Sequence, residues 1–432
     1  MDTIDFNQGL LSFLQASPTS FHATAEMARQ LDEAGFTALD ERHSWTLEVD
    51  QQYYVIRHDS AIIAFTTGSG DLTKDGIRMV GAHTDSPALK VKPNPEINSQ
   101  DYFQLGVEVY GGALLNPWFD RDLSMAGRVS WQNKNGQIQN TLVDFKKAVA
   151  TIPSLAIHLD REANQKRSIN SQKDIPPVLC RLHGGDKPDF RQMLARELEK
   201  QDLEPEQVLD YEIFFYDTQP PAVIGLDDEF IAAARLDNLL SCYAGMKAII
   251  AAKNSPYPCL LVCNDHEEVG SSSTNGANGP FLRQVLDRLC DTPTELTRTL
   301  QNSMIISADN AHGIHPNFAD KHDSNHGPLL NNGPVIKINA NQRYATTSET
   351  SALFRTLCQQ QNVPVQSFVA RTDMGCGSTI GPITASSLGI RTLDIGLPTF
   401  GMHSIRELAG RDDAVALAKV LVYFFQQENL FA

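Results

Sequence analysis

The chain has 432 residues, 41% of them apolar, and 36 basic against 52 acidic residues give it a formal charge of −16. That length supports two or three domains, or one large domain with an insertion, and that apolar content supports a sizeable core. The acidic balance argues against nucleic acid or an anionic membrane as the main partner.

The opening "MDTIDFNQGLLSFLQASPTSF" carries acids where a secretory leader needs bases. No stretch approaches the ~20 apolar residues of a membrane span. The seven cysteines, at 180, 242, 259, 263, 290, 358 and 376, are odd in number and form no CxxC. Free thiols in a reducing compartment are expected, and hence a cytoplasmic protein with no nucleic-acid and no membrane partner.

Two helices are predicted first, over 5–15 and 20–34, the second capped by Thr19 or Ser20. Strands come next at "YYVIRH", "AIIAFTT" and "IRMVGAHTD". After about Lys92 the pattern changes. Residues 102–145 read as antiparallel β-structure, with Asn135-Gly136 turning between two alternating runs. Residues 160–210 are polar and rich in lysine and proline, with a helix expected at 188–200. From Glu229 the alternation of strands and helices resumes. Apolar residues at 236, 239, 240, 243, 246, 249 and 250 form a helical stripe. Strands are predicted at "CLLVCN", "SMIISAD", "PVIKINA", "VQSFVAR" and "IRTLDIG". The last element, "DDAVALAKVLVYFFQQ", is a helix whose leading acids suit its dipole. These elements predict one α/β domain in two parts, 1–92 and 229–432, split by a β-rich insertion at 93–228.

Several apolar runs end in a potential metal ligand. "MVGAHTD" ends in His83 and Asp85, "VCNDHEE" in Glu267 and Glu268, and "IISAD" in Asp309; "LDIGLPTFGMHS" reaches His403 just past its strand. Asp237 stands at the start of the apolar helix. Ligands in open α/β sheets gather at the carboxyl ends of strands, so these residues can converge. Singly, an HxD is commonplace, a Glu-Glu pair is usually a solvated face, and an Asp after a strand is usually a turn residue. Jointly, two imidazoles and several carboxylates suit zinc, with cobalt or manganese as alternatives. Two divalent cations ~3.5–4 Å apart need a shared ligand, which a carboxylate can be. Asp85 is placed to accept the other N–H of the His83 ring and fix its tautomer.

The set "GAHTDSPALKVKP", "RLDNLLSCYAG", "DHEEVGSSS", "SADNAHGIHPNF", "TIGPI" and "GMHSIRE" resembles the M18 family, the aspartyl aminopeptidases, among the co-catalytic dizinc peptidases. The resemblance runs from about Phe6 to the C-terminus. It implies a mixed central sheet flanked by helices, and an insertion that makes a dimer contact. It also implies two zinc ions per subunit, one held by His83, Asp237 and Asp309, the other by Asp237, Glu268 and His403, with Asp237 bridging and followed by a cis peptide. Glu267 is then the general base, and the substrates are peptides with a free N-terminus. Lys337 matches a lysine that meets an acidic substrate side chain; by itself it is also an ordinary strand lysine. His158, in "SLAIHLDR", matches a histidine that reaches a neighbouring subunit's active site and stabilises the oxyanion; by itself it is also a core or surface histidine. The implied assembly is a dodecamer built from dimers.

His312, three residues after Asp309, is expected to line the substrate pocket. His322 and His326 stand four apart, but proline and glycine nearby argue against a helix, so no third metal site is expected there. "RTDMGCGSTIGP" lacks the Walker spacing and is expected to be a tight loop whose backbone lines the pocket. Together these features predict a metallo-aminopeptidase acting on N-terminal Asp or Glu. A dizinc deacylase or dipeptidase on the same scaffold, and a non-catalytic assembly protein, are the alternatives.

Overall fold

The computed structural model describes residues 2–431. The chain forms two compact units. The first comprises Met1–Asp85, Pro221–Met402 and Glu407–Ala432; the second comprises Ser86–Pro220 with His403–Arg406. The return of those last four residues to the second unit is announced by no periodicity.

The first unit is built on a nine-stranded mixed sheet. Its spatial order is Thr37–Leu39, Gln52–Arg57, Ala61–Thr66, Cys259–Asn264, Arg78–His83, Met304–Ala308, Arg391–Gly396, Val335–Lys337 and Gln366–Phe368. The four strands from Cys259–Asn264 to Arg391–Gly396 are mutually parallel. Three of these four are buried at every position, and Arg391–Gly396 at every position after its first. Parallel strands covered on both faces read as continuous apolar runs, which is how they appear in the sequence. Because they are parallel, their carboxyl ends share one edge, and His83 lies in register with Asn264 there.

Helices cover this sheet. Thr3–Ala16 and Ser20–Glu33 lie close to the predicted spans, and Thr19 caps the second through its side-chain oxygen, which accepts from the His22 N–H. Leu236–Ala251 buries nearly its whole circumference, and Asp413–Phe425 packs against it. Leu240, Tyr243, Leu417 and Phe424 belong to one core cluster. A second, five-stranded sheet joins Ala222–Ile224, Phe230–Ala233, Glu407–Gly410, Pro398–Phe400 and Ala311–His312.

The second unit is a six-stranded antiparallel sheet in the order Ile138–Asp144, Leu123–Asn133, Pro205–Asp217, Ala88–Ser99, Tyr102–Tyr110 and Val178–Arg181. The hairpin turn falls at Asn135-Gly136, with Gly136 at φ 78°. The helix Phe190–Glu199 packs its buried Phe190, Leu194 and Leu198 into the core of this unit beside Trp118, Trp131 and Phe215. All seven cysteines are free thiols. Among the described residues no helix is long and apolar enough to cross a membrane.

Candidate metal centre

His83 ends a fully buried strand and is itself 1% exposed. Its Nδ1 lies 3.0 Å from the Asp85 backbone carbonyl and 3.3 Å from Asp85 Oδ1. A carbonyl only accepts, so Nδ1 carries the proton and the Nε2 lone pair is left for a ligand role. Nε2 faces carboxylates: Asp237 Oδ1 at 3.5 Å, Asp309 Oδ1 at 3.6 Å and Glu267 Oε2 at 4.0 Å. Both the Asp85 carbonyl and the Asp85 carboxylate stand at this ring nitrogen, the carbonyl closer, and the carboxylate has a second role. Its Oδ1 accepts the N–H of Glu267 and its Oδ2 the N–H of Glu268, each at 3.1 Å. One side chain thus sets the backbone of both glutamates.

Those glutamates form a single 3₁₀ turn, Glu267–Val269, between His266 at φ 61° and Gly270 at φ 97°. Two left-handed residues reverse the chain at once after the buried strand, so the pair is held at the sheet edge and does not run on into a helix. Asp237 is the second residue of the helix Leu236–Ala251, and the Asp237-Asn238 peptide is cis. The Asp237 N–H donates to Glu407 Oε2 at 2.9 Å, and Asn238 Nδ2 donates to the Ala308 carbonyl at 2.8 Å. Asn238 therefore ties the helix start to the strand end that carries Asp309. Cys242, one turn further on, donates its thiol to the His83 carbonyl at 3.0 Å. Asn238 and Glu407 are buried polar residues of the site that no spacing rule singles out.

The electrostatics are those of a cation site. His83, Asp237 and Glu268 can each offer a ligand atom with all three atoms within 4.8 Å of one another. Burial, reinforced by Asp237, Asp85 and Glu267, pushes Glu268 up to about 11. Burial, with Asp309 and Asp237 adding to it, pushes Glu267 up to about 7. Burial opposes a charge on His83 too, but hydrogen bonds to Asp237, Asp309 and Asp85 outweigh it and raise that imidazole well above its usual range. Carboxylates this crowded must take up protons or meet cations. One imidazole nitrogen and several carboxylate oxygens match the donor chemistry of zinc, so the residues present fit the metal.

Lys337 is 3% exposed, with Nζ 3.4 Å from Asp309 Oδ2 and 5.3 Å from the Tyr344 ring centre. It is therefore not a strand lysine pointing to solvent. His312 stands edge-on to Phe368 and lines a cavity with Arg371, Met374 and Gly375. His326 pairs with Asp323 at 2.6 Å while His322 packs near Phe368, so the two histidines face different partners. His83, Asp85, Asp237, Glu267, Glu268, Asp309 and Lys337 come together within the first unit. His403 and His158 belong to the second. There His403 sits at φ 67°, its Nδ1 3.1 Å from the Gly112 carbonyl. By the argument used for His83, its Nε2 carries the lone pair. His158 lies in an exposed loop beside Ile157 and Leu159, which are 49% and 75% exposed.

Comparison with known proteins adds a family. Residues 13–425 match the family model described as aminopeptidase I zinc metalloprotease (M18). The chain is 60% identical over 425 residues to "Probable M18 family aminopeptidase 2" of Pseudomonas fluorescens (strain SBW25), covering 98% of this chain and 99% of that one. Among solved structures, a chain of the cryo-EM structure of the Ape4 and Nbr1 complex superposes with a TM-score of 0.94 at 35% identity, covering 98% of this chain and 86% of that chain. The mApe1 dodecamer of S. cerevisiae superposes with a TM-score of 0.85 at 28% identity, covering 98% and 97%.

Proposed function

Because the chain belongs to the M18 family of zinc metallo-aminopeptidases, we propose that it releases N-terminal aspartate or glutamate from peptides, with two zinc ions held by His83, Asp237, Glu268, Asp309 and His403. The observation that carries this reading is the convergence on His83 Nε2 of Asp237, Asp309 and Glu267, all within 4.0 Å. Bound zinc supplies positive charge that acidifies water and polarises a carbonyl.

The protein's own residues do the rest. Asp237 is the shared ligand, and Glu268 is the glutamate whose charge the metal offsets. Glu267 is the general base: its carboxylate takes the proton of the attacking water and returns it to the leaving amine. Asp85 holds the backbone of that base and the ring of His83 in one arrangement. The substrate α-amine is received among the carboxylates, which limits cleavage to the first residue. Lys337, buried beside Asp309, supports an acidic side chain at that residue.

His158 donates to the developing oxyanion in a neighbouring subunit. Its exposure between Ile157 and Leu159, with Leu155 also 60% exposed, supports a contact surface there. The mApe1 relative is described as a dodecamer, and we carry that assembly, built from dimers, to this chain.

The test is metal-depleted protein reloaded with zinc, cobalt or manganese and assayed on a panel of aminoacyl p-nitroanilides and N-acyl amino acids. Cleavage of Asp and Glu anilides, restored by metal, is expected. Activity confined to N-acyl amino acids would establish a deacylase instead.

A further inference from the structure

The first unit also contains a cavity of about 310 Å³ outside the carboxylate cluster. Its titratable lining is basic: His312, His315, His322, Lys321 and Arg371 face it beside the neutral Thr399, and among the described residues no carboxylate lines it. Phenyl rings set the imidazoles. Phe368 stands edge-on to His312 and His322, with centroids 5.7 and 6.4 Å apart, and Phe400 meets His315 at 5.4 Å. The Arg371 guanidinium is shared with Asp373 at 2.8 and 2.6 Å. Arg371 also donates to the Asp320 carbonyl, and the charge of Lys321 reaches the same Asp373 carboxylate without a direct ion pair among the described residues.

Position decides what this cavity can hold. His312 joins it to the cluster, three residues on from Asp309, yet none of the cluster residues lines it, and neither does Lys337. The first residue of an aminopeptidase substrate occupies the cluster itself, and nothing precedes that residue. A pocket set to one side of the cluster is left for the residues beyond the scissile bond.

We propose that this cavity receives the second residue of the substrate and selects a carboxylate there, either an acidic side chain or, in a dipeptide, the terminal α-carboxylate. Lys321, Arg371 and imidazole N–H groups would donate to it, and charge-assisted bonds of this kind are the stronger ones. The inference rests on the aminopeptidase reading above.

The test compares kcat/KM for four peptides that share an N-terminal aspartate: Asp-Glu-amide, Asp-Gln-amide, Asp-Ala and Asp-Ala-amide. A charged hydrogen-bonding partner predicts about a tenfold advantage of the first over the second, of the third over the fourth, or of both. The pair that responds tells side chain from terminal carboxylate. Lys321→Met combined with Arg371→Met should bring the ratios toward one, and Lys321→Arg should keep them. Equal rates across the four peptides, or ratios that survive the double substitution, overturn the cavity's role while leaving the aminopeptidase reading in place. Hydrolysis of none of the four overturns both.

Discussion

Glu267 and Glu268 are neighbours in the chain, yet the fold treats them unequally: burial and nearby carboxylates lift one to about 7 and the other to about 11. The larger shift marks Glu268 as the group that most needs a cation to ionise, and the proposed base is the neighbour that needs it less. Glu267→Gln should therefore keep the metal and the fold while lowering kcat by ~10²–10⁴-fold; metal analysis beside steady-state kinetics checks both halves. On the proposed reading the Asp237 carboxylate is shared, so Asp237→Ala should lose both metal ions together, and metal content per chain reads this directly. At this scale the sequence displays the candidate site residues and hides their supports. His83, Glu267, Glu268 and Asp309 each come after an apolar run, so strand ends pick them out. Asn238 and Glu407 act through hydrogen bonds to residues 70 and 170 positions away, and no local pattern encodes such a partner. The Asp85 carboxylate was legible as a neighbour of His83, while its grip on two backbone N–H groups 182 and 183 residues away was not.

Elements repeat that lesson through length. The buried parallel strands and the helix Leu236–Ala251 are long or apolar enough to carry a clear period. Strands of three residues such as Thr37–Leu39 and Ala222–Ile224 carry none. The longest strand, Pro205–Asp217, was also missed, because its first half is polar and largely exposed. Helix termini supply a pH test. Asp413 opens the last helix, and its carboxylate accepts the N–H groups of Asn331 and Gly333 at 2.7 and 2.9 Å. Burial outweighs those bonds and raises it from 3.8 to about 7. Between those two values the unfolded chain releases a proton that the folded chain keeps. The contribution is therefore fully present below the lower value and is lost as pH rises toward the upper one. Asp413→Asn should flatten the fall in Tm between pH 4 and pH 7 relative to the parent, as measured by thermal unfolding across that range.

For the whole molecule, a site that draws His158 from a second chain is incomplete in one subunit. His158→Phe should lower kcat with metal content and particle size unchanged, by roughly 10²–10³-fold for a lost oxyanion donor. Mixing His158→Phe chains with Glu267→Gln chains should restore part of the activity after subunit exchange, since one site of each mixed dimer has both groups intact. Exchange without recovery, tracked by native mass spectrometry and activity together, would exclude the shared site. The change from α/β alternation to an antiparallel pattern set the insertion at 93–228, while the second unit runs over Ser86–Pro220 with His403–Arg406; exposed loop residues leave little trace in a period.

The strand Arg78–His83 is flanked in the sheet by Cys259–Asn264 and Met304–Ala308. During translation it leaves the ribosome long before either partner exists. At ~5–20 residues per second, the 175 residues between His83 and Cys259 take roughly 10–35 s to make. An apolar strand with both edges open stays unpaired for all of that time, as does one edge of Ala61–Thr66, which waits for the same partner. The same delay has a protective side. Every nascent fragment lacks Asp309 until 309 of the 432 residues have been made, so the proposed metal centre stays incomplete through most of the chain's synthesis.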